Sequence, residues 1–262
     1  MTIAIDFFDM TAAPLRIGAV RLKVRDLDAV STFYQTVLGL TSIETGDRRV
    51  TLGTGATPLL ELVGDPTLAN FDPRQAGLFH TAFLMPTRAD LARWLAYVMA
   101  ARVPLQGASD HIVSEALYLA DPEGNGIEVY TDRPVSRWHG PKGEIQMSTD
   151  PLDVQNLLQS AEGTDWTGFP TGGSIGHVHL QVGAVAPASA FYGQGLGMDS
   201  TADYPGAGFF ASGGYHHHIA ANIWNSRNAG RRPERSTGLR NVGIIADSAA
   251  TLAGVQDGLV KA

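Results

Sequence analysis

Hydrophobic and polar positions first form a regular pattern at residues 17–39. Apolar residues alternate with polar ones over 17–24, a period that predicts a β-strand with one buried face. The spacing then becomes that of an amphipathic helix over 27–38, where apolar residues recur every three or four positions. Asp26 stands in an N-cap position and Gly39 follows the last turn, so residues that commonly end helices mark both ends. The segment therefore predicts a strand followed by a helix.

The same pattern recurs three more times along the chain. Residues 175–182 align without a gap to the first strand, and the helix after them carries the same Phe-Tyr pair and ends in Leu-Gly-Met instead of Leu-Gly-Leu. Fainter copies begin at 77–84 and at 238–245, each followed by an amphipathic helix, and short β-rich runs follow the first three helices. Such self-similarity indicates a repeated supersecondary unit. We expect four βαβββ units in an α+β fold.

Two features set the expected domain boundaries. The fourth unit stops immediately after its helix, at Lys261 and Ala262, so we expect it to lack its last three strands. A long connector separates the second and third units, and in it Asp150-Pro151 is expected to open a short helix that runs through Leu158. A connector of this length is unusual inside one compact domain. We expect an N-terminal arm (1–15), a first module of two units (16–132), a connector (133–173) and a second, C-terminally incomplete module (174–262).

The incomplete fourth unit leaves strand edges or apolar surface without a partner. We expect the connector, the N-terminal arm or another subunit of a homo-oligomer to cover them.

Composition narrows the classes of function. The 262-residue chain carries a net charge of −7 and has no basic stripe, which argues against nucleic-acid binding. It contains no Cys, so a metal would have to be held by His and carboxylate. No apolar run reaches the roughly 18 to 20 residues of a membrane span, and the N-terminus lacks the basic region of a secretory signal. We expect a cytoplasmic protein that binds neither nucleic acid nor membrane.

Residues with distinctive chemistry concentrate at 109–130. The stretch is typical of a strand, a tight Asp-Pro-Glu-Gly-Asn-Gly turn and a second strand. Glu128 lies between Ile127 and Val129 in the second strand and therefore faces the opposite side from both. A carboxylate there faces either solvent or a polar cavity.

Several residue types in this stretch occur at specific spacing. His111 is followed after five residues by Leu117-Tyr118, after two more by Asp121-Pro122-Glu123-Gly124, and after three more by Glu128. This order closely resembles the signature of extradiol ring-cleaving dioxygenases, members of the vicinal oxygen chelate (VOC) superfamily that also contains glyoxalase I and bleomycin-resistance proteins. Ser109 is a mild departure at the first position. In that signature the Glu is an iron ligand, and the Tyr and His are active-site residues.

The resemblance implies VOC half-barrels, each built from two units, with metal ligands on the first and last strands. Alignment of the four first strands places Ala19, His80, His177 and Asn241 at one structural position. Pairing consecutive units would leave one site a ligand short and the other without a carboxylate. Pairing the second unit with the third unites His80, Glu128 and His177, a two-His-one-carboxylate set that leaves positions open on Fe(II). We predict this crossed pairing, as in glyoxalases, with Fe(II) as the metal and Mn(II) as the alternative.

Further histidines are assigned by position. Residues 215–219 contain three consecutive histidines that cannot all face one side of a strand, and we expect two of them to be partly exposed. By resemblance to the His-His-x-Ile-Ala run of extradiol enzymes, His217 matches the acid–base histidine beside the metal, with either neighbour as a substitute if the register slips. His179 rivals His177 as a ligand and is otherwise expected to contact the substrate.

The resemblance implies ring cleavage of a catechol-like aromatic diol by O₂. Tyr118 would hydrogen-bond a substrate oxygen, while His111 and Asp110 would line the pocket and orient the diol. From the residues alone, Tyr118 could instead be a core residue and Asp110 could cap a turn.

Two other classes of function stay open. One is a glyoxalase-like metal-dependent lyase or isomerase, whose metal usually has two carboxylates. The nearest candidate for the second carboxylate, Glu61, lies in the first unit, away from the predicted barrel. The other is a non-catalytic, resistance-type protein that binds a small molecule.

Overall fold

The computed structural model describes residues 6–161, 163 and 165–261, and it has the α+β architecture of repeated units that the sequence predicts. The first unit comprises β1 (Leu15–Val24), α1 (Leu27–Val37), β2 (Thr41–Gly46), β3 (Arg49–Thr54) and β4 (Thr57–Gly64). The second comprises β5 (Gly77–Leu84), α2 (Arg88–Ala100), β6 (Gly107–Asp110), β7 (Ser114–Ala120) and β8 (Gly126–Asp132). The connector holds β9 (Asp150–Pro151) and α3 (Val154–Leu158). The third comprises β10 (Ser174–Gln181), α4 (Val185–Ser189), β11 (Asp199–Tyr204), β12 (Ala207–Ala211) and β13 (Ile219–Asn222), and the fourth comprises β14 (Gly238–Ala246) and α5 (Ala249–Lys261).

The strands form two mixed sheets. The five-stranded sheet has the order β14-β1-β4-β3-β2, and the nine-stranded sheet has the order β11-β12-β13-β10-β5-β8-β7-β6-β9. Antiparallel pairing of β1 with β14 joins the first unit to the fourth, and antiparallel pairing of β5 with β10 joins the second to the third. The predicted crossed pairing is confirmed. Each sheet therefore takes one unit from residues 16–132 and one from residues 174–262.

The first two helices form where the sequence predicts them and pack on each other. Asp26 Oδ1 accepts a hydrogen bond from the Ala29 N–H and caps α1, and Gly39 ends the helix with a φ of +69°. From α2, the buried Trp94 donates its indole N–H to the carbonyl oxygen of Val37 at 2.8 Å. Such a bond stabilises the fold by about 0.5–1.5 kcal/mol. It ties the helix of one sheet to the helix of the other.

The helix of the third unit is less regular than its counterparts. The short α4 continues directly into a π-helical turn at Ala190–Gly195. Two of the six residues of that turn are glycines, which weaken an α-helix by about 0.5–1 kcal/mol each relative to Ala. The aligned Phe-Tyr pair is thus present, but in a locally widened helix.

The connector differs from expectation at its predicted helix. Asp150 and Pro151 do not open a helix; they form β9, which pairs antiparallel with β6. Pro lacks a backbone N–H and is tolerated at the edge of a sheet, where β9 lies. The helix begins later, at Val154, where Asp153 Oδ1 accepts from the Asn156 N–H at 3.0 Å. The predicted start is therefore wrong, and the predicted end is confirmed.

The N-terminal arm packs on the connector and on the histidine-rich segment. The ring centroid of Phe8 lies 6.0 Å from that of Trp138 and 4.9 Å from that of Tyr215. Asp6 Oδ1 accepts from the Ser136 N–H at 3.1 Å. Residues 1–5 of the predicted arm lie outside the described residues.

The fourth unit presents apolar side chains to solvent. Among the described residues no strand follows α5, and Ile245 and Leu252 are 42% and 50% exposed. The described residues of the connector and of the arm leave these side chains exposed. Cover by another subunit stays a prediction. In the part of the chain described here, no helix is both long enough and apolar enough to cross a membrane.

Candidate active site

Three neighbouring strands of the nine-stranded sheet bring His80, Glu128 and His177 together. Ala82 of β5 is flanked by Glu128 on the parallel strand β8 and by His177 on the antiparallel strand β10. His80 lies two residues before Ala82 and therefore shares its face of the sheet. The Nε2 atoms of His80 and His177 lie 3.0 and 3.4 Å from Glu128 Oε2. One ligand atom from each of these buried residues lies within 4.8 Å of the other two.

The protonation states of this triad suit a metal site. Burial raises the pKa of Glu128, but the adjacent His177 and His80 outweigh it and hold that pKa well below its usual value. Burial lowers the pKa of His177 to about 4. At neutral pH the triad therefore offers a carboxylate anion and a neutral imidazole, the forms in which these side chains bind metals.

Unsatisfied nitrogens in the triad provide a further test of the fit to a metal. His80 Nε2 is buried and has no hydrogen-bond partner, because its contact with Glu128 lacks hydrogen-bond geometry. His177 Nδ1 is likewise buried without a partner. A buried polar atom left unpaired costs about 1–3 kcal/mol. A cation bound between the two Nε2 atoms and the carboxylate would satisfy His80 Nε2, so the donor set fits a divalent metal.

His179 lines the same cavity but lies outside the triad. Its Nε2 accepts a hydrogen bond from the Asn222 side-chain amide at 2.9 Å. Its ring centroid lies 4.9 Å from that of His80. Burial, and then the neighbouring histidines, lowers the pKa of His179 well below its usual value. His179 is thus a neutral, fixed side chain of the cavity wall.

His111 and Tyr118 form a hydrogen-bonded pair beside the triad. His111 Nδ1 lies 2.6 Å from the carbonyl oxygen of Ser148, and because a carbonyl only accepts, Nδ1 carries the proton. In the neutral ring Nε2 is then an acceptor, so the Tyr118 hydroxyl, 2.6 Å away, donates to it. Burial and then the charge of Glu128 raise the pKa of Tyr118 well above its usual value, which keeps the hydroxyl protonated.

The structure does not bring Asp110 into the cavity. Its Oδ1 accepts from the Ile112 N–H at 2.9 Å, and its Oδ2 pairs with Arg133. Arg133 also contacts the buried Glu115, which binds Arg88 through Nε at 2.6 Å. Asp110 therefore caps a turn and belongs to an ion-pair network behind the cavity wall, whereas His111 lines the cavity itself.

The three consecutive histidines lie in an irregular segment with bends that precedes β13, which begins only at Ile219. All three are buried, so the expectation that two are partly exposed is wrong. His217 lines the cavity, and its ring centroid lies 4.1 Å from that of His177. His218 instead accepts the Ser212 N–H through Nδ1 at 3.3 Å.

A chain of hydrogen bonds leads from Asp132 through His216 to His217. His216 Nε2 lies 2.9 Å from Asp132 Oδ1, and His216 Nδ1 lies 2.8 Å from His217 Nδ1. Because the carboxylate accepts from Nε2, a neutral His216 has its lone pair on Nδ1, and His217 Nδ1 must donate to it. This assigns the lone pair of His217 to Nε2. Burial, and then His177 and His216, lowers the pKa of His217 well below its usual value, so the ring is neutral.

The triad lies in a cavity of about 1050 Å³. Sequence reasoning missed much of its wall: the aromatic residues Phe79, Phe209 and Trp224, and the connector segment 144–149. Phe79 directly precedes the aligned His80, a position that could have marked it. The connector segment has no periodic pattern, and no signal in the sequence places it against the site.

Comparison with known proteins agrees with this architecture. The profile of the Glyoxalase/Bleomycin resistance protein/Dioxygenase superfamily matches residues 16–129 and 174–262. The chain is 41% identical over 228 residues to the catechol-2,3-dioxygenase of Bacillus subtilis (strain 168), covering 85% of this chain and 80% of that protein.

Two solved structures share the fold at low identity. A protein from Bacillus subtilis subsp. subtilis str. 168 gives a TM-score of 0.61 at 15% identity, covering 94% of this chain and 74% of that one. Glyoxalase I from Zea mays gives a TM-score of 0.55 at 14% identity, covering 94% and 80%. These two likenesses show the fold. The matched family model and the 41% identical relative show that the chain belongs to the glyoxalase/bleomycin resistance protein/dioxygenase superfamily.

Proposed function

We propose that this protein is an extradiol ring-cleaving dioxygenase that acts on a catechol-like aromatic diol with O₂ at a mononuclear Fe(II) site, with Mn(II) as the alternative metal. The observation that carries the proposal is the buried cluster of His80, Glu128 and His177 in a large cavity. The 41% identity to a catechol-2,3-dioxygenase supports the same reaction class. Bound Fe(II) would supply open coordination positions for the adjacent oxygens of the diol and for O₂.

His217 is the proposed acid–base residue. Its neutral ring presents the Nε2 lone pair, because Nδ1 donates to His216. A neutral imidazole beside the triad can take the proton of a diol hydroxyl and return it after the ring opens. Asp132 and His216 act through His217 as positioning residues, because they fix which of its nitrogens carries the proton.

Tyr118, His111 and His179 are the proposed substrate contacts. The Tyr118 proton is committed to His111, so its oxygen is free to accept a hydrogen bond from a diol hydroxyl. His111 is held in turn by the connector through Ser148. The ring of His179 lies next to the ring of His80 and would contact the bound diol from one side.

The carboxylate count favours the dioxygenase over a glyoxalase-like lyase. Glu61, the candidate second carboxylate, lies on β4 of the other sheet and pairs with Arg21 at 2.9 Å. The triad contains a single carboxylate.

Metal content and oxygen uptake test the proposal together. The protein loaded anaerobically with Fe(II) should bind about one iron and consume one O₂ for each catechol whose ring opens. His80→Ala should lose both iron and O₂ uptake, whereas His139→Ala, which removes an exposed histidine, should keep both. A metal-free protein, or turnover of a thiol adduct without O₂ uptake, would reject the proposal.

A further inference from the structure

The cavity has one wall that comes from outside the repeated units. Connector residues Glu144 to Thr149 line it together with strands of the second and third units. The Gln146 N–H donates to the carbonyl oxygen of Trp138 at 2.8 Å, and His111 Nδ1–H donates to that of Ser148 at 2.6 Å. Trp138 is fully buried. The first bond joins two parts of the connector, and the second joins the connector to His111 of the site.

The cavity is larger than a single-ring diol requires. Its volume of about 1050 Å³ lies just above the range of about 300–1,000 Å³ that is typical of pockets for drug-sized ligands. One six-membered ring held at the triad leaves most of this space unfilled. The remaining wall is largely apolar, with Phe79, Phe209 and Trp224 from the repeated units and Ile145 and Met147 from the connector.

Apart from a metal held by the triad, the described wall of the cavity offers no cationic side chain to a negative charge on the substrate. None of the described residues that line it is Arg or Lys, and two of them, Glu128 and the exposed Glu144, are acidic. The nearby Arg133 is occupied by Asp110 and Glu115. A carboxylate on the substrate would therefore lose water without gaining a counter-ion, which is unfavourable.

We infer that the site selects an uncharged aromatic diol bearing an apolar substituent of about the size of a second ring, and that Ile145 and Met147 of the connector are specificity-determining residues that contact this substituent. The inference rests on the proposed function for the reaction, but its size and charge selection can be measured by binding alone. The substituent gains favourable burial against the apolar wall, whereas an anionic group does not.

The test compares three diols: catechol, 3-phenylcatechol and 3-carboxycatechol. We expect 3-phenylcatechol to exceed catechol by about tenfold or more in kcat/KM and in anaerobic affinity, and 3-carboxycatechol to fall below catechol by a similar factor. Met147→Trp should fill the space and lower kcat/KM for 3-phenylcatechol by a larger factor than kcat/KM for catechol, so that the advantage of 3-phenylcatechol is lost. Met99→Trp, at an exposed methionine of α2, is the matched control and should change kcat/KM for neither catechol nor 3-phenylcatechol. Glu144→Lys should raise the affinity and kcat/KM for 3-carboxycatechol towards the values for catechol.

The outcomes separate this inference from the proposed function. Turnover with catechol favoured over 3-phenylcatechol, or Met147→Trp lowering both equally, would overturn the inference and leave the dioxygenase standing. The expected order of anaerobic affinities without turnover of any diol would keep the inference and reject the dioxygenase. Equal affinity for all three diols would overturn the inference by itself.

Discussion

The chain from Asp132 to His217 makes a quantitative prediction about kcat. Asp132→Asn keeps the size of the side chain and an oxygen that can accept from His216, but it removes the negative charge. In the parent protein Asp132 Oδ1 accepts from His216 Nε2 at 2.9 Å and from the Tyr215 hydroxyl at 3.1 Å. The substitution therefore weakens the restraint on His216 without creating a cavity.

The structure sets the size of the effect. A hydrogen bond to a charged group contributes about 1.5–3 kcal/mol and one between neutral groups about 0.5–1.5 kcal/mol. Loss of the charge on Asp132 should therefore weaken the hydrogen bond that orients His216 and His217 by about 1–1.5 kcal/mol, which corresponds to about a 5- to 13-fold lower kcat. His217→Ala removes the proposed base itself and should lower kcat by about 10²–10⁴-fold.

Steady-state kinetics with a saturating diol would measure these effects. For Asp132→Asn we expect the decrease in kcat with an unchanged KM, because the substrate contacts are intact. Tyr215→Phe is the control: it removes the other hydrogen bond to Asp132 but leaves the link to His216, so kcat should stay close to the parent value. A parent-like kcat in Asp132→Asn, or an equal decrease in Tyr215→Phe, would refute the assigned role of Asp132.

Three stability predictions follow from buried contacts. Burial, and then the neighbouring Asp121, raises the pKa of Tyr34 well above its usual value. The contribution of this raised pKa to the free energy of unfolding is therefore complete below pH about 10 and is lost at higher pH by about 1.4 kcal/mol per pH unit. In urea unfolding, the free energy of unfolding of Tyr34→Phe should therefore decrease less steeply above pH about 10 than that of the parent protein. Parallel decreases in the two proteins would contradict this. In Gly126→Ala the new Cβ would lie 1.9 Å from a backbone carbonyl oxygen of β5, and we expect the free energy of unfolding to fall by about 1–3 kcal/mol. Gly46→Ala is the control and should not change it, because no atom lies within 4 Å of the new Cβ. Equal melting temperatures of the two variants would refute this prediction. Glu115→Ala leaves two arginines without their buried partner, and one of these arginines is partly exposed. The free energy of unfolding measured in urea should therefore fall by about 2–3 kcal/mol. A decrease of less than about 1 kcal/mol would contradict this prediction.

The sheet pairing could be predicted from sequence because residue types restrict it. Only two of the four aligned first-strand positions carry a histidine, at His80 and His177, and Glu128 lies in a strand beside one of them. A site that needs all three residues allows one pairing of units. What the resemblance to the VOC superfamily implies about ligand positions, together with the residue types at those positions, therefore predicted a long-range arrangement.

Contacts made by irregular segments could not be predicted in the same way. The segment before Ile219 has the composition of a strand, yet its histidines are buried in an irregular segment, where Asp132 binds His216 from far along the chain and Ser212 binds His218 locally. Asp110 directly precedes the pocket residue His111 in sequence, but its carboxylate binds Arg133. The connector wall depends on hydrogen bonds to Trp138 and His111 that no periodicity encodes.

The central claim is that His80, Glu128 and His177 jointly hold one catalytic iron. Crystals grown anaerobically with Fe(II) and measured on both sides of the iron absorption edge test it most directly. The account predicts a single strong anomalous peak in contact with Nε2 of both histidines and with the Glu128 carboxylate. Iron bound elsewhere, or no peak among these three side chains, would contradict it.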